Sequence, residues 1–527
     1  MDIRSLLLPL LYILCANALP TEVSQEEKAL ITPGPTFAVY GGYPAVKRGI
    51  VSDITSDLTS ELDSYLNSIF SELGTAIPSY VSNGLLPNLE NLPTGSAVAS
   101  SLGVNSSDLA ASPTQVLNIP GYGNWTSDGW SLRIHGNVFK QPNVSNATID
   151  KLADGFLIGT SIANLTASEQ DQTRNVTREI YVVQQSNESV TMEILPGAEA
   201  GSSGQVGGGG GVTPAGGEQT ITLPDLTTSE GDFDVFVPVS NTSLTLTAGT
   251  GDIAPQRLDV YAQGTDTGNA TSYLVSDQGF TIISDIDDIL RVTKIYEPAQ
   301  GILNTFARPF TPWLNMPDIY ANWSNSIPTM HFHYLTTTPE EITRNYMNFI
   351  YATYPGGSFD TRPLNFSDVS ATLSIRKFLL VKIFETFPNR KFILVADTSN
   401  SDVMRDYPEM ATDYPGQVQC IFLRNTSSTD SGDKFPYNTE GFKDLNQSSY
   451  MFFKVPDDLT NLDIVNGQCY NSSIPQNLTF GYQGLPFGID SGSSSSNSSS
   501  SSSAASRSCR IGSFIVLVAG VLAFIIV

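Results

Sequence analysis

The chain has 527 residues, of which 40% are hydrophobic and 15% are charged, a composition typical of globular domains joined by polar connectors. Its 27 Lys and Arg residues against 52 Asp and Glu residues give a formal net charge of −25 at pH 7. This charge excludes nucleic acid as the expected partner and disfavours electrostatic docking to an anionic membrane.

The first residues, 1–18, have the features of a secretory signal peptide. Arg4 precedes an apolar run from Leu6 to Cys15, and Ala16-Asn17-Ala18 supplies a small-x-small cleavage site. A short transmembrane anchor is the weaker interpretation, because the run is far below the roughly twenty residues that a helical span needs. We therefore expect the chain to enter the secretory pathway.

Residues 19–85 are predicted to form an N-terminal helical region, followed by a linker over 86–118. Apolar residues recur at spacings of three and four from Ile54 to Leu73, with Asp and Ser between them, which predicts an amphipathic helix. The helix is expected to pack on its own domain, although partner binding is an alternative. The linker is assigned from its Pro, Asn, Ser and Gly content.

Residues 119–277 are predicted to form an all-β sandwich. Short alternating runs, such as residues 178–183 and 232–239, are separated by turn residues. The tract 201–217 is too rich in Gly to order itself and is expected to be a flexible loop. No residue of this region suggests catalysis.

Two aspartates follow a strand-like run at residues 280–284. Asp285 and Asp287 are two positions apart, so on an extended backbone they point to the same side, just past a strand end where open α/β sheets bind ligands. One ionised carboxylate can attack phosphorus while the other protonates the leaving oxygen and then activates water. In an acidic chain an Asp-x-Asp pair also arises by chance, so the motifs around it decide whether the pair is interpreted as catalytic.

Thr336 follows a second predicted strand, residues 330–335, and is a candidate phosphate-binding hydroxyl. A helix is expected from Pro339, with Thr338 as the alternative N-cap residue. N-capping accounts for Thr338 but leaves Thr336 unexplained.

A helix is predicted through residues 374–384, and its cations could neutralise charge on a phosphoryl group. Lys377 is the first candidate for this cation, Lys382 is a weaker one, and Arg376 is a further candidate. Lysines on amphipathic helices are more often solvated, which is the competing interpretation.

The predicted strand at residues 391–396 runs into two further acids. Asp397 stands at the strand end, as Asp285 does, and Asp402 lies one loop further on. Taken singly, each Asp is ordinary turn chemistry, but together they offer hard oxygen ligands from two loops that could share one Mg²⁺.

These motifs together resemble the catalytic domain of the actin-patch-type phosphatidate phosphatases, which belong to the haloacid-dehalogenase superfamily. The resemblance spans about residues 278–455. It implies an α/β three-layer sandwich with a mostly parallel sheet, placed within a domain of residues 278–485. It further implies Asp285 as nucleophile, Asp287 as acid/base, Thr336 as the phosphate-binding hydroxyl and Lys377 as the stabilising cation. The Mg²⁺ cofactor would be held by Asp285, Asp287 through its backbone carbonyl, Asp397 and Asp402.

The expected function is Mg²⁺-dependent hydrolysis of phosphatidate or another lipid phosphate through an aspartyl-phosphate intermediate. Three departures from the family pattern are conservative changes: Ile289, Ala396 and the run Thr336-Thr337-Thr338 in place of a Ser-rich motif. The alternative is a cell-surface glycoprotein whose β-sandwich binds a wall or membrane component and whose phosphatase fold is vestigial.

Cysteines and sequons agree with an exported chain. Once the predicted signal peptide and tail are removed, Cys420 and Cys469 remain, and we expect a disulfide between them, with two separate thiols as the alternative. Many Asn-x-Ser/Thr sites predict N-glycosylation, among them Asn105, Asn124, Asn143, Asn164, Asn175, Asn241, Asn322, Asn425, Asn471 and Asn477.

The C-terminal region is expected to direct membrane attachment. A Ser-rich linker at residues 486–508 precedes a hydrophobic segment at 509–527, a pattern typical of a glycosylphosphatidylinositol signal with attachment within 500–503. A single-pass helix bounded by Arg510 is the alternative. The expected location is the extracellular face of the plasma membrane or the cell wall.

Overall fold

The computed structural model describes residues 98–99, 102–155, 157, 159–197, 218–228, 230–294, 297–362, 369–429 and 439–476. Several predictions lie outside these residues: the signal peptide, the N-terminal helix, the Gly-rich loop, the Ser-rich linker, the C-terminal anchor and Asn477. None of the helices within the described ranges is long and apolar enough to cross a membrane.

The first sheet is mixed and has nine strands, in the order β1-β3-β2-β9-β8-β5-β6, with β4 and β7 also paired to β3. All of its pairings are antiparallel except that of β2 with β9. The strands are β1 Thr114–Ile119, β2 Tyr122–Thr126, β3 Gly129–Lys140, β4 Val183–Gln184, β5 Thr191–Pro196, β6 Gln219–Thr222, β7 Asp232–Val239, β8 Gln256–Ala262 and β9 Asn269–Val275.

One hydrophobic cluster lies within this first sheet. Leu132 and Ile134 of β3 and Leu258 and Val260 of β8 are buried in it, at the spacing of two that puts side chains on one face of a strand. Strands from both ends of the pairing order contribute to this cluster, so the sheet packs around its own core. The predicted strand periodicity is therefore present in the structure.

The β-rich region also contains helices, so the prediction that residues 119–277 are all β was wrong. Helix α1 Ser106–Ala111 precedes these residues, and α2 Asn146–Ala153, α3 Ala167–Ile180 and α4 Asn241–Leu244 lie within them. A capping box between Thr166 and Glu169 begins α3, and Val176 and Ile180 bury its apolar side. The strand-like run predicted at 178–183 thus includes the end of a helix.

The predicted linker 86–118 is ordered at its C-terminal end. Val98, Ala99 and Leu102 pack with Val183 in a small buried cluster, and β1 pairs with β3 from Thr114 onwards. The small and polar residues of this segment are typical of a linker. Pairing of β1 with β3 nevertheless supplies the hydrogen bonds that make its C-terminal end a strand.

The second sheet has six strands, all parallel, in the order β12-β11-β10-β13-β14-β15. The strands are β10 Phe280–Ser284, β11 Met330–Pro339, β12 Ser358–Arg362, β13 Lys391–Asp397, β14 Val418–Arg424 and β15 Tyr450–Phe453. The helices that follow α4 are α5 Pro298–Phe306, α6 Met316–Ser326, α7 Glu340–Thr353, α8 Val369–Thr386, α9 Ser401–Asp413 and α10 Thr426–Thr429.

Helices cover both faces of this parallel sheet, so it is the middle of three α/β layers. Alternate residues of β10 show the division: Ile282 packs in a cluster with side chains of α5, α6 and α7. Ile283 packs in another cluster with side chains of α8 and α9. A strand buried on both faces favours apolar residues at successive positions, which explains the continuous apolar run of residues 392–396 in β13.

The two sheets share core residues across the predicted boundary at 277/278. Leu117 and Ile119 of β1 lie in the same cluster as Ile282, and Tyr122 of β2 lies in the cluster of Ile283. The backbone N–H of Phe359 in β12 also donates to the carbonyl of Pro120, at 2.8 Å. The described parts of both regions are therefore one packed body.

The structure joins Cys420 and Cys469 in a disulfide, the pair expected from the sequence. Their Cα atoms are 5.3 Å apart, and the bridge ties buried strand β14 to the segment after β15.

Candidate active site

Three of the predicted site residues lie at the carboxyl edge of the parallel sheet, on neighbouring strands. Ser284 of β10 is in register with Tyr334 of β11 and with Val395 of β13. Asp285 comes next on the central strand, while Thr336 and Asp397 follow two residues after those partners. This is the edge at which parallel α/β sheets bind ligands, because the strand ends and following loops form a crevice there.

Asp285 is buried and held from several sides. Its Oδ1 accepts the N–H of Ile286 at 2.9 Å, and its Oδ2 accepts Nδ2 of Asn400 at 3.1 Å. Burial raises the pKa of Asp285 to about 6, although the cation of Arg376 opposes the rise. A carboxylate that is fixed in direction but poorly solvated has the properties of a nucleophile.

The cation beside Asp285 belongs to Arg376 of α8, whereas Lys377, the first candidate from the sequence, points elsewhere. Arg376 is buried, and its Nη2 lies 3.3 Å from Oδ2 of Asp285. The Lys377 ammonium pairs with Glu409 and lies 3.6 Å from Asp413, both on α9. Neighbouring helical residues project about 100° apart, so only one of the two can face the strand end.

Asp402, a predicted magnesium ligand, is tied to the same guanidinium. Its Oδ2 lies 2.7 Å from Nε of Arg376, and its Oδ1 accepts the N–H of Val403 at 2.8 Å. Arg376 therefore bridges Asp285 and Asp402. Asp402 thus orients the guanidinium that faces Asp285.

Asp397 has an open oxygen at the end of β13. Its Oδ1 accepts the N–H of Ser399 at 2.6 Å, while its buried Oδ2 has no hydrogen-bond partner among the described residues. Burial raises the pKa of Asp397 well above its ordinary value, and the neighbouring Asp288 and Asp285 raise it further. Three carboxyl groups crowded in this way favour a bound cation or proton.

Asp288 shapes the loop after the strand. Its φ of 57° is in the left-handed region, and its Oδ1 accepts the N–H groups of Thr293 and Lys294 at 3.1 and 2.8 Å. Nη1 of Arg424, at the end of β14, donates to the Asp288 carbonyl at 2.5 Å. Asp288 thus fixes the turn on which Asp287 stands.

The side chain of Asp287 is turned towards the same loop. Its Oδ1 accepts Nε of Arg291 at 2.8 Å and the hydroxyl of Thr293 at 2.6 Å. The Arg291 guanidinium is fully buried and lies over the ring of Phe310, with the Arg291 Cζ atom 4.4 Å from the ring centroid. These contacts hold the second carboxyl in one direction.

The four acids predicted to share one cation do not meet at a point. Among the described residues, no three Asp, Glu, His or Cys side chains converge closely enough to form a metal site by themselves. The side chain of Asp287 faces Arg291 and that of Asp402 faces Arg376, which leaves Asp285 and Asp397 as the candidate carboxylate ligands. The backbone carbonyl of Asp287, the atom that the resemblance assigns to the ion, does not depend on this side-chain direction. Magnesium commonly uses one or two carboxylates and keeps several waters, so this pair with the open Asp397 oxygen fits that ion.

Asn400 and Asp288 are site residues that sequence reasoning missed. Asn400 lies between two acids already selected, Asp397 and Asp402, and its loop position was the available signal. Asp288 was the third of a run of acids, and an Asp after a strand is a common choice for a left-handed turn.

None of the predicted glycosylation sites within the described ranges is buried. Five of the asparagines are exposed and four are half-buried. The exposed ones are Asn105, Asn143, Asn164, Asn175 and Asn322, and the half-buried ones are Asn124, Asn241, Asn425 and Asn471. Asn124 also donates to the carbonyl of Thr386 at 3.4 Å.

Part of the chain that contains this site is similar to known proteins. Residues 280–425 match the family described as Phosphatidate phosphatase APP1, catalytic domain. Over 161 residues the chain is 26% identical to Phosphatidate phosphatase APP1 of Saccharomyces cerevisiae, an alignment covering 29% of this chain and 27% of that protein. The alignment thus spans about a quarter of that relative's length.

Solved structures give only weak overlaps. A Bacteroides uniformis beta-glucuronidase 2 aligns at a TM-score of 0.16 and 9% identity, covering 59% of this chain and 36% of that one. A Paenibacillus cycloisomaltooligosaccharide glucanotransferase aligns at 0.16 and 8%, covering 62% and 55%. Neither overlap carries an argument about this fold.

Proposed function

We propose that the chain is a Mg²⁺-dependent phosphatase acting on a lipid phosphate such as phosphatidate, because residues 280–425 match the family of phosphatidate phosphatase APP1 catalytic domains. The observation that carries the proposal is the buried Asp285 at the end of the central strand, with Arg376 at 3.3 Å and Asp397 on the adjacent strand. A nucleophile, a cation and an oxygen ligand thus lie at one edge.

The site also supports assignment to the haloacid-dehalogenase superfamily. The parallel sheet has helices on both faces, and its nucleophile candidate follows β10, flanked by β11 and β13. The loop acid Asp397 then follows the adjacent strand, in the chain order that the resemblance implies.

The reaction has two steps. The Asp285 carboxylate attacks phosphorus while the bond to the leaving oxygen breaks, and that oxygen takes a proton from Asp287. Asp287, now a carboxylate, removes a proton from water, and the resulting hydroxide attacks the aspartyl phosphate to release inorganic phosphate and restore Asp285. Arg376 stabilises the negative charge on the phosphoryl oxygens, and Thr336 is positioned at the same edge to bind one of them.

Asp285 and Asp397 are the side chains that would hold magnesium. When bound, the ion neutralises phosphate charge that would repel the attacking carboxylate. The crowding of Asp397 by Asp285 and Asp288 supports this assignment, because an anionic cluster at a buried strand edge favours a cation.

The disulfide supports the further proposal that the chain folds in an oxidising compartment. Structural disulfides are rare in reducing compartments, and Cys420 and Cys469 are both buried. Mass spectrometry of the alkylated native protein tests this: an unlabelled, linked pair is expected, and two labelled thiols would contradict it.

The test is phosphate release by the purified full chain. Phosphatidate in detergent micelles and a small phosphomonoester are assayed with Mg²⁺ and with EDTA, using the parent, Asp285→Asn and the exposed control Asp444→Asn. We expect Asp285→Asn to lose activity by a factor of about 10³ or more and the control to match the parent. Preference for phosphatidate over the small ester tests the substrate class.

Equal and negligible rates in parent and Asp285→Asn would overturn the proposal. They would favour the vestigial phosphatase fold with a binding function.

A further inference from the structure

A charged cluster, buried except for the Asp234 side chain, which is 33% exposed, joins the two sheets. We call it the inter-sheet cluster, and it comprises Arg133, Asp234, His333, Asp360 and Lys382. Arg133 makes a two-pronged pair with Asp234, at 2.8 Å from Nε to Oδ1 and 2.9 Å from Nη2 to Oδ2. Its Nη1 donates to Oδ1 of Asp360 at 2.5 Å.

Two further contacts extend the inter-sheet cluster. Lys382 of α8 donates from Nζ to Oδ2 of Asp234 at 2.7 Å. Nε2 of His333 in β11 lies 3.0 Å from Oδ2 of Asp360 in β12. Two residues of the first sheet thus bind two elements of the α/β layers directly, β12 and α8, and reach β11 through Asp360.

The burial of this cluster makes its pairing demanding. The side chains of Arg133 and Lys382 are 4% and 3% exposed, and that of Asp360 is fully buried. A buried charge is tolerated only when its partners are in place, and loss of one partner leaves the other uncompensated. The inter-sheet cluster therefore fixes how the two sheets are placed relative to each other.

The cluster acts on the same elements that carry the candidate active site. Lys382 stands six residues after Arg376 on α8, and His333 stands three residues before Thr336 on β11. The ring of Tyr122 in β2 reinforces both links, with centroids 5.5 Å from His333 and 5.6 Å from Phe387, the residue just after α8.

We propose that Arg133 and Asp234, which lie outside the residues matching the catalytic family, are positioning residues of the phosphatase site. Asp234 holds α8 through Lys382, and Arg133 holds β12 and β11 through Asp360. Together they fix the placement of Arg376, and with it the cation that faces Asp285. This inference rests on the proposed function, and it makes the first sheet part of the catalytic unit.

The experiment compares single variants of the full chain. Asp234→Asn and Lys382→Met each break the link to α8, while Lys382→Arg keeps a cation there. Asp150→Asn is the matched control, because Asp150 pairs with Arg174 in the same two-pronged geometry, at 2.6 and 3.0 Å, on helices α2 and α3. Turnover is measured as kcat and KM separately, and deuterium exchange is measured over residues 376–386.

We expect Asp234→Asn and Lys382→Met to lower kcat by about 10- to 100-fold with KM changed far less, because a small misplacement of a catalytic cation costs rate. Exchange over 376–386 should rise in both variants. Lys382→Arg should recover most of the kcat, and Asp150→Asn should retain the parent values.

Parent-like kcat and unchanged exchange in Lys382→Met would overturn the inference, and so would an equal loss in Asp150→Asn. Should Asp234→Asn fail to fold, Lys382→Met and its arginine counterpart decide the question. Should the parent itself show no turnover, the proposed function fails, and faster exchange over 376–386 in Lys382→Met would still establish that the cluster orders α8.

Discussion

The guanidinium of Arg376 lies 3.3 Å from the carboxylate of Asp285, on a helix whose next residue, Lys377, faces away to α9. This contact joins the candidate nucleophile to a cation that is itself held by Asp402 at 2.7 Å. In the proposed function, the cation that faces the phosphate is therefore an arginine. Because an arginine stays protonated at any working pH, its cation is always present.

Substitution of Arg376 should impair catalysis far more than substitution of Lys377. Arg376→Met is expected to lower kcat/KM by about 10²- to 10³-fold, as is typical when one group that stabilises developing charge is lost. Lys377→Met should stay within about 3-fold of the parent, since Lys377 pairs with acids on α9. Steady-state phosphate release measures both, and the opposite ranking would show that Lys377 is the catalytic cation.

Asn400 should contribute to the orientation of the nucleophile. Asn400→Leu removes the amide that donates to Oδ2 of Asp285 at 3.1 Å, and a hydrogen bond to a charged group is worth roughly 1.5–3 kcal/mol. We expect kcat to fall by about 10-fold or more, while the circular dichroism spectrum stays that of the parent. An unchanged kcat in the folded variant would remove Asn400 from the site.

Asp406 should make the folded state less stable as the pH rises through its titration. Burial raises the pKa of Asp406 to about 6, although its partner Arg405 opposes the rise. Between pH about 4 and about 6 the unfolded chain has lost a proton that the folded chain still holds, so the free energy of unfolding falls as pH increases.

The variant Asp406→Asn, which stays neutral, should lack that fall. Relative to the parent, it should gain about 2–3 kcal/mol of stability between pH 4 and pH 7. Urea unfolding in EDTA at pH 4, 5, 6 and 7 measures the difference, and parallel curves for the two proteins would contradict the prediction.

The disulfide should contribute substantially to stability. It closes a loop between residues 49 apart, and cross-linking a loop of that length restricts the unfolded chain by about 2–4 kcal/mol. We expect the double variant Cys420→Ala, Cys469→Ala to unfold at a lower urea midpoint than the parent. Dithiothreitol should lower the parent's midpoint towards that of the variant and leave the variant itself unchanged; a parent insensitive to reduction would show that the bridge is absent or without effect.

The cation on α8 shows where sequence reasoning reached its limit. Arg376 is followed by Leu379, Leu380 and Ile383 at the spacing of one helix face. Lys377 is followed by Leu380, Val381 and Phe384 at the same spacing, so the apolar pattern supports either residue equally. Only the packing of the helix on the sheet, which exposes Phe378 and buries Leu379 and Leu380, selects Arg376.

The β-rich region shows a second limit of the sequence analysis, because it contains a helix that was not predicted. Its strands were predictable because their side chains alternate, but α3 was not, although Thr166 and Glu169 form a capping box. The segment that follows is mostly polar and carries only two large apolar residues, Val176 and Ile180, and the helix is stabilised by burying them against residues distant in sequence. Short-range patterns do not contain that information.

The sequence by itself determined which residues stand at strand ends, because local order places Asp285, Thr336 and Asp397 directly after buried runs, and parallel strands align those ends. Tertiary structure alone decided which charges meet. It turned Asp287 towards Arg291, placed Arg376 between Asp285 and Asp402, and brought Asp234 of one sheet to Lys382 beside the other. Long side chains reach partners set by helix rotation and sheet packing, and these depend on contacts between residues far apart in the chain.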